Sequence, residues 1–236
     1  MAKLSRYQSV PLPFGLSVPG RNHARRVVDL LNNIEGKSLL DVGTYYGMFP
    51  AEAMARGASR AVGIEADAER YQIAKRIAAL NGNSYEIMHG LLEEVAISEK
   101  FDLVLLLNVL HHVKNPIETV ITAASHCRSK LIVEFCLPND PGYISYCRYG
   151  PNAKPRKIER AAVFLQSTLL KGVAGSLPIM AVGNREYHRT FYFSEAAFHN
   201  IFVVHHRIFD HIEFRPSYMN RYRALAICDV SSPIAR

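Results

Sequence analysis

The sequence predicts an α/β fold, with a mostly parallel sheet, helices on both faces and an antiparallel strand at its C-terminal end. Three observations lead there. From Ser38 to Phe135, short apolar runs alternate with helix-period segments of roughly 10–15 residues, which is the pattern of βαβ units. The run Phe101 to Leu107 is too short and too uniformly apolar for an amphipathic helix, and reads as a strand buried on both faces. Asp41, Glu65, Gly90, Asn108 and Glu134 each stand at the carboxyl end of a predicted strand, where open α/β sheets collect their ligands.

The elements follow in order. Residues 1–20 hold Pro11, Pro13, Gly15, Pro19 and Gly20 and are expected to be irregular. A helix is expected from about Asn22 to Asn33, with Val27, Val28, Leu30 and Leu31 as its apolar stripe. Strand one is Ser38 to Val42. The helix after it uses Phe49, Ala53 and Met54 and stops at Gly57, a C-terminal glycine cap. Strand two, Ala61 to Ile64, is closed by Glu65, and a helix runs from Ala68 to Asn81. A short strand, Tyr85 to Met88, precedes the buried strand from Phe101. Pro116 suits the first turn of the next helix, and Leu131 to Phe135 is a fifth strand. After Pro138 the alternation breaks. Residues 139–192 show one helix, Ile158 to Leu170, among Pro- and Gly-rich stretches. Ser194 then caps a helix from Glu195 to Phe202, and two β-type segments, Arg207 to Phe214 and Tyr222 to Val230, close the chain.

A chain of 236 residues suits one domain with an insertion, and 49% apolar with 21% charged residues is the balance of a globular protein. No apolar run approaches the roughly 20 residues that cross a bilayer, so no membrane partner is expected. The first residues lack the hydrophobic core of a signal peptide. Cys127, Cys136, Cys147 and Cys228 show no C-x-x-C spacing and read as free thiols, so a cytoplasmic location is expected. The net charge of +7 is uneven: residues 1–138 carry +1, residues 139–192 carry +5 and residues 193–236 carry +1. A solvated basic surface is the plainest meaning of such a block.

Asp41-Val-Gly43-Thr-Tyr-Tyr-Gly47 is a D-x-G-x-x-x-G turn between a strand and a helix, distinct from the dinucleotide fingerprint G-x-G-x-x-G. Glu65 closes the next strand. Asn108-Val-Leu-His-His-Val-Lys-Asn-Pro follows the fourth strand. Together these resemble the class I S-adenosylmethionine (SAM)-dependent methyltransferases, over about residues 36–136. The resemblance implies a seven-stranded Rossmann-like methyltransferase sheet with an insertion after strand 5, SAM as cofactor and S-adenosylhomocysteine as product. The domain would span residues 1–236, with residues 1–35 as an N-terminal cap and residues 139–192 as a basic substrate lid.

It implies roles as well. Gly43, Thr44, Tyr45 and Gly47 would bend around the methionine part of SAM, with Asp41 holding its ammonium end. Glu65, followed by Ala66, would accept from both ribose hydroxyls, two acceptor oxygens meeting two donors. Gly90 and Leu91 stand where the family often has an Asp that reads adenine, so backbone groups and apolar packing would do that work here. Asn108 and Val109 would complete the cofactor site. Tyr45 occupies the usual third glycine position of the loop. Each residue has a plainer alternative: Asp41 and Glu65 as strand-end caps, Asn108 as a chain-turning residue.

His111 and His112 are candidate general bases, because histidine titrates near neutrality, or else structural residues. Glu134 is a candidate catalytic residue or substrate contact. His188, His199, His205, His206 and His211 lack any metal-ligand pattern, and in a strand His205 and His206 would face opposite ways, so no metal is expected. Basic side chains of the insertion (Arg148, Lys154, Arg156, Lys157, Arg160, Lys171, Arg185 and Arg189) suit an acidic or phosphorylated small molecule or glycan methylated on O or N. With Tyr143, Tyr146 and Tyr149 they also suit RNA, and a non-catalytic binding protein is a third reading. Arg215, Arg221 and Arg223 would extend the pocket or pair with acidic neighbours. The sequence sets no oligomeric state.

Overall fold

In the structure, a computed structural model, the residues described are 8–20, 28–141, 144–145, 148, 156–172, 176–185, 188–218 and 221–230. They form two compact parts, one reaching Leu106 and including Thr122–Leu131, the other Leu107–Ile121 with the chain from Ile132.

The first part opens with a small antiparallel hairpin, β1 (Val10–Pro11) and β2 (Ser17–Val18), where irregular chain was expected. Its sheet is parallel. β3 (Ser38–Val42) pairs on one side with β4 (Arg60–Glu65), and β4 pairs with β5 (Glu86–His89). On its other side β3 pairs with β6 (Phe101–Leu106). Both central strands are buried almost throughout, which is why they read as continuous apolar runs. Helix α1 (Met48–Ala55) starts directly after Gly47 and ends before Gly57, whose φ of 83° is the left-handed cap expected of it. Helix α2 (Ala68–Leu80) is capped by Asp67, whose carboxylate accepts from the Arg70 N–H at 2.9 Å.

Helix α3 (Pro116–Ser125) starts with Pro116, and Asn115 Oδ1 before it accepts from the Glu118 N–H. Strand β7 (Cys127–Cys136) extends four residues before the expected start, and its first residues run beside β6. Glu134, one of its last residues, is buried, as is the run from Leu131 to Cys136.

The second part holds α4 (Lys157–Leu169), then β8 (Met180–Arg185) and β9 (His188–Phe193), an antiparallel hairpin that the sequence reading missed. β9 pairs in parallel with the end of β7, Cys136 opposite Tyr192. Gly183 and Asn184 inside β8 are strand-poor residues and made it read as loop. Helix α5 (Glu195–His199) is capped by Ser194 as expected, but it gives way at Asn200 to a wide π turn that lasts to His205. His205 and His206 therefore lie on a helical turn, their rings 5.0 Å apart, and not on a strand. β10 (Phe209–Pro216) and β11 (Arg223–Val230) form the expected antiparallel pair, with a register shift between Phe209 and His211. Phe135, Phe193, Phe198 and Phe202 are its buried aromatic core, with Phe135 stacked on Phe198 at 4.7 Å.

Of the helix from Asn22 to Asn33, residues 21–27 lie outside the described residues, and Val28–Leu31 is a single 3-10 turn. The third strand begins at Glu86 and not at Tyr85, whose ring is buried and whose hydroxyl accepts from Asn81 Nδ2 at 3.3 Å. Tyr143, Tyr146, Tyr149, Lys154 and Cys147 lie outside the described residues.

Candidate functional site

The loop after β3 is built by hydrogen bonds that consume its own donors. The N–H groups of Gly43 and Thr44 both donate to the Ile64 carbonyl, at 2.8 and 2.9 Å. The Tyr45 N–H donates to Glu65 Oε2 at 2.8 Å, the Tyr46 N–H to Gln8 Oε1 at 3.2 Å, and the Gly47 N–H to the Thr44 carbonyl at 3.0 Å. Five successive amides are taken up inside the protein. A loop that cradles phosphate needs those groups turned outward. This one is not a phosphate loop.

Three positive φ values shape the turn: Gly43 at 74°, Tyr45 at 59° and Gly47 at 81°. Tyr45 thus takes the left-handed conformation that a glycine would hold more cheaply, and that conformation accompanies its N–H bond to Glu65. Its ring lies 4.2 Å from that of Tyr46 and under the Arg70 guanidinium at 5.0 Å.

Thr44 is fully buried, and its hydroxyl donates to Asp41 Oδ2 at 2.7 Å. Room for it comes from Gly63, which stands opposite Asp41 in the β3–β4 register. A Cβ there would come within 2.7 Å of Thr44 Cγ2. Gly63 carried no signal in the sequence, where it is one apolar-compatible residue in a strand. Thr44 supports Asp41 and presents no group of its own beyond it.

Asp41 is buried, and among the described residues no lysine or arginine pairs with it. Burial lifts its carboxyl from the ordinary 3.8 to about 7, the Thr44 hydroxyl opposing and the Glu65 charge adding to the rise. Glu65 is buried too, and burial raises it despite the two backbone N–H groups on it. Its Oε1 accepts from Asp67 at 3.0 Å and its Oε2 from Tyr45, so each oxygen holds one backbone donor and keeps further acceptor capacity. The Arg70 charge acts on Glu65, whereas Asp41 has no cation among the described residues, and this desolvated acidic patch fits a ligand that brings a cationic group and hydroxyl donors.

Gly90 closes this side of the first part. Its N–H donates to the Glu65 carbonyl at 3.1 Å, and a Cβ on it would meet Val95 at 3.0 Å. Ala66 and Leu91 are exposed beside these residues in sequence.

The second part gathers a different set. Asn108 has a φ of 59°, and its Oδ1 accepts from Arg223 Nη1. The same Nη1 lies 3.5 Å from Glu134 Oε2, while Glu134 Oε1 accepts from the Ser217 hydroxyl. Val109 is half-buried. His111 is buried and His112 exposed, with ring centroids 3.9 Å apart. Asn139 is 2% exposed, and its Oδ1 has no hydrogen-bond partner among the described residues. Reading the sequence placed Glu134 at a strand end but missed Ser217 and Asn139, which sit in turns without local pattern. It left Arg223 open between pocket and ion pair, and the ion pair with Glu134 forms. Arg215 pairs with Glu213 at 2.7 Å, as its alternative reading held.

A family model described as a methyltransferase domain matches residues 20–202. Ubiquinone biosynthesis O-methyltransferases of Actinobacillus pleuropneumoniae and Haemophilus ducreyi are 32% and 33% identical over 95 residues, 38% of this chain and 40% of each relative. The chain thus matches two-fifths of the length of these curated relatives. Among solved structures, the CcbJ methyltransferase of Streptomyces caelestis superposes with a TM-score of 0.61 at 11% identity, over 91% of this chain and 92% of its own. The magnesium protoporphyrin IX methyltransferase of Synechocystis with bound S-adenosylhomocysteine gives 0.56 at 20% identity, over 88% and 82%. At such identities the structures speak for the fold.

Proposed function

This chain belongs to the methyltransferase-domain family, whose methyl donor is SAM, and on that premise we propose that it methylates an oxygen nucleophile of a small molecule. The observation that carries the donor half is the loop itself. All five N–H groups from Gly43 to Gly47 are internally bonded, and the buried Asp41 carboxylate stands beside them with no cation among the described residues. That arrangement selects a cationic ligand with hydroxyls over a dinucleotide phosphate.

SAM, when bound, supplies a methyl already activated on its sulfonium. Asp41 holds the ammonium end, with Thr44 keeping its carboxylate oriented. Glu65 receives the ribose hydroxyls on oxygens pre-set by Tyr45 and Asp67. Gly43 and Gly47 keep side chains away from the turn, and the segment Gly90–Leu91 supports adenine through backbone and apolar contact. The chain then needs to orient the acceptor and remove its proton. His111 is the proposed base, with His112 packed on it. Asn108, held by Arg223, sets the start of the loop that carries both. Asn139 Oδ1 offers a buried acceptor for a donor group on the substrate. An oxygen nucleophile is supported by the O-methyltransferase names of the partial relatives.

Calorimetry with SAM, S-adenosylhomocysteine and NAD tests the donor half. Binding of the first two without the third is expected, and NAD binding of equal affinity overturns it. For the acceptor half, a screen of phenols and sugar hydroxyls by methyl transfer is expected to show His111→Ala at least about hundredfold slower in kcat. Full turnover by that variant removes His111 from the role.

A further inference from the structure

An ordinary amphipathic helix turns its apolar stripe inward. Helix α4 does the reverse. Its inward residues are Val163 and Ser167, both buried and one turn apart. Ile158, Ala161, Ala162, Leu165 and Leu169 share the opposite face by their three- and four-residue spacing. Three of them are largely in solvent: Ile158 is 78% exposed, Leu165 60% and Leu169 69%. Phe164 stands at one margin of the stripe, also exposed, with the Arg221 guanidinium 5.3 Å over its ring. On that margin lie Lys157 and Arg160, and Lys171 follows the helix; all three are exposed. The one acidic side chain of α4, Glu159, is half-buried, and Arg156 approaches it at 3.4 Å.

We propose that α4 lies on an anionic lipid bilayer, with Ile158, Leu165 and Leu169 entering the headgroup–acyl boundary and Lys157, Arg160 and Lys171 at the phosphates. Thirteen residues are too few to cross a bilayer, which takes about 20, so the helix rests on the surface. Charge separates this occupant from a second copy of the chain. An antiparallel two-fold pairing through the same face would set basic margin against basic margin, and like charges across an interface oppose association. An anionic bilayer supplies an apolar layer and negative charge together. The lipid reading places three of the eight basic residues of 139–192 at this surface. It stands apart from the choice of methyl acceptor.

The test is cosedimentation of the full chain with phosphatidylcholine vesicles, with and without one-third phosphatidylglycerol. Partitioning to the anionic vesicles is expected to be at least about tenfold stronger, and to weaken as salt shortens the range of the charges. Leu165→Gln/Leu169→Gln is expected to lower it about tenfold on anionic vesicles. Lys157→Gln/Arg160→Gln is expected to lower it about tenfold there, leaving the weak binding to phosphatidylcholine unchanged. Both variants should keep wild-type SAM affinity, a readout independent of this face that also reports folding. Three results overturn the proposal: no binding to anionic vesicles, equal binding to both compositions, or concentration-dependent dimerisation abolished by the leucine substitutions.

Discussion

Asp41 and Glu134 are the same kind of group in the same kind of place, buried carboxylates near the carboxyl ends of β3 and β7, and the protein treats them oppositely. Glu134 is met by Arg223 and Ser217, so its charge is answered within the chain. Asp41 receives a hydroxyl and no cation among the described residues, and burial pushes it up to about 7. A buried charge left alone is costly and moves its pKa. A protein keeps such a group when something outside the chain supplies the missing charge. The contrast sets a carboxylate answered within the chain beside one that we propose is answered by a ligand.

The hardest way to break this contrast is Asp41→Ala. SAM affinity is expected to fall about a thousandfold, roughly 4 kcal/mol, in calorimetry, while the protein remains folded. Unchanged affinity would remove Asp41 from the site. The carboxyl also predicts a pH dependence. Its folded pKa lies above the ordinary 3.8, so the folded state binds the extra proton, and ligand-free stability is expected to fall as pH rises from about 4 to about 7. In its proposed role Asp41 meets the SAM ammonium group in its ionised form, so SAM affinity is expected to rise with pH across neutrality. Asp41→Asn should flatten both profiles, and slopes that persist in it would assign them to another group.

Arg223→Ala probes the answered carboxylate. Removing the guanidinium leaves Glu134 buried and unpaired, at a cost of about 3 kcal/mol in urea denaturation. Glu134→Gln in the same chain is expected to recover part of the loss, and a neutral single variant would show the pair to be inert. Gly63→Ala comes next, at about 2 kcal/mol, because its methyl meets Thr44 inside van der Waals distance. The same change is expected to weaken SAM binding by disturbing the Thr44–Asp41 bond, and wild-type affinity would detach Thr44 from the donor site. The smallest effect is at Tyr45. Asn tolerates the left-handed conformation, so Tyr45→Asn should stay within about 0.5 kcal/mol in thermal melts, whereas Tyr45→Val should cost about 1 kcal/mol more. Equal melts for the two would mean that the backbone relaxes there.

What local sequence carries well is what depends on local physics. The strand Ser38–Val42, the glycine stop at Gly57, the Ser194 cap and the start at Pro116 all came from residues acting on near neighbours. The D-x-G-x-x-x-G turn and Glu65 were visible for the same reason, as strand ends followed by a loop of fixed length. The β8–β9 hairpin was hidden because its first strand holds Gly183 and Asn184 and is stabilised by a pairing with β7 that lies far away in the chain.

The sequence by itself therefore determined the α/β order, the acidic strand ends and the cofactor class they imply, since each rests on periodicity or on a short motif. Only the tertiary structure decided which carboxylate is answered. The partners of Glu134 come from 83 and 89 residues away, and the space that lets Thr44 hold Asp41 comes from a glycine on the adjoining strand. It also decided that α4 keeps its leucines in solvent, because which face of a helix turns inward is set by what packs against it. Charge and burial are properties of neighbourhoods, and neighbourhoods exist only after the chain has folded.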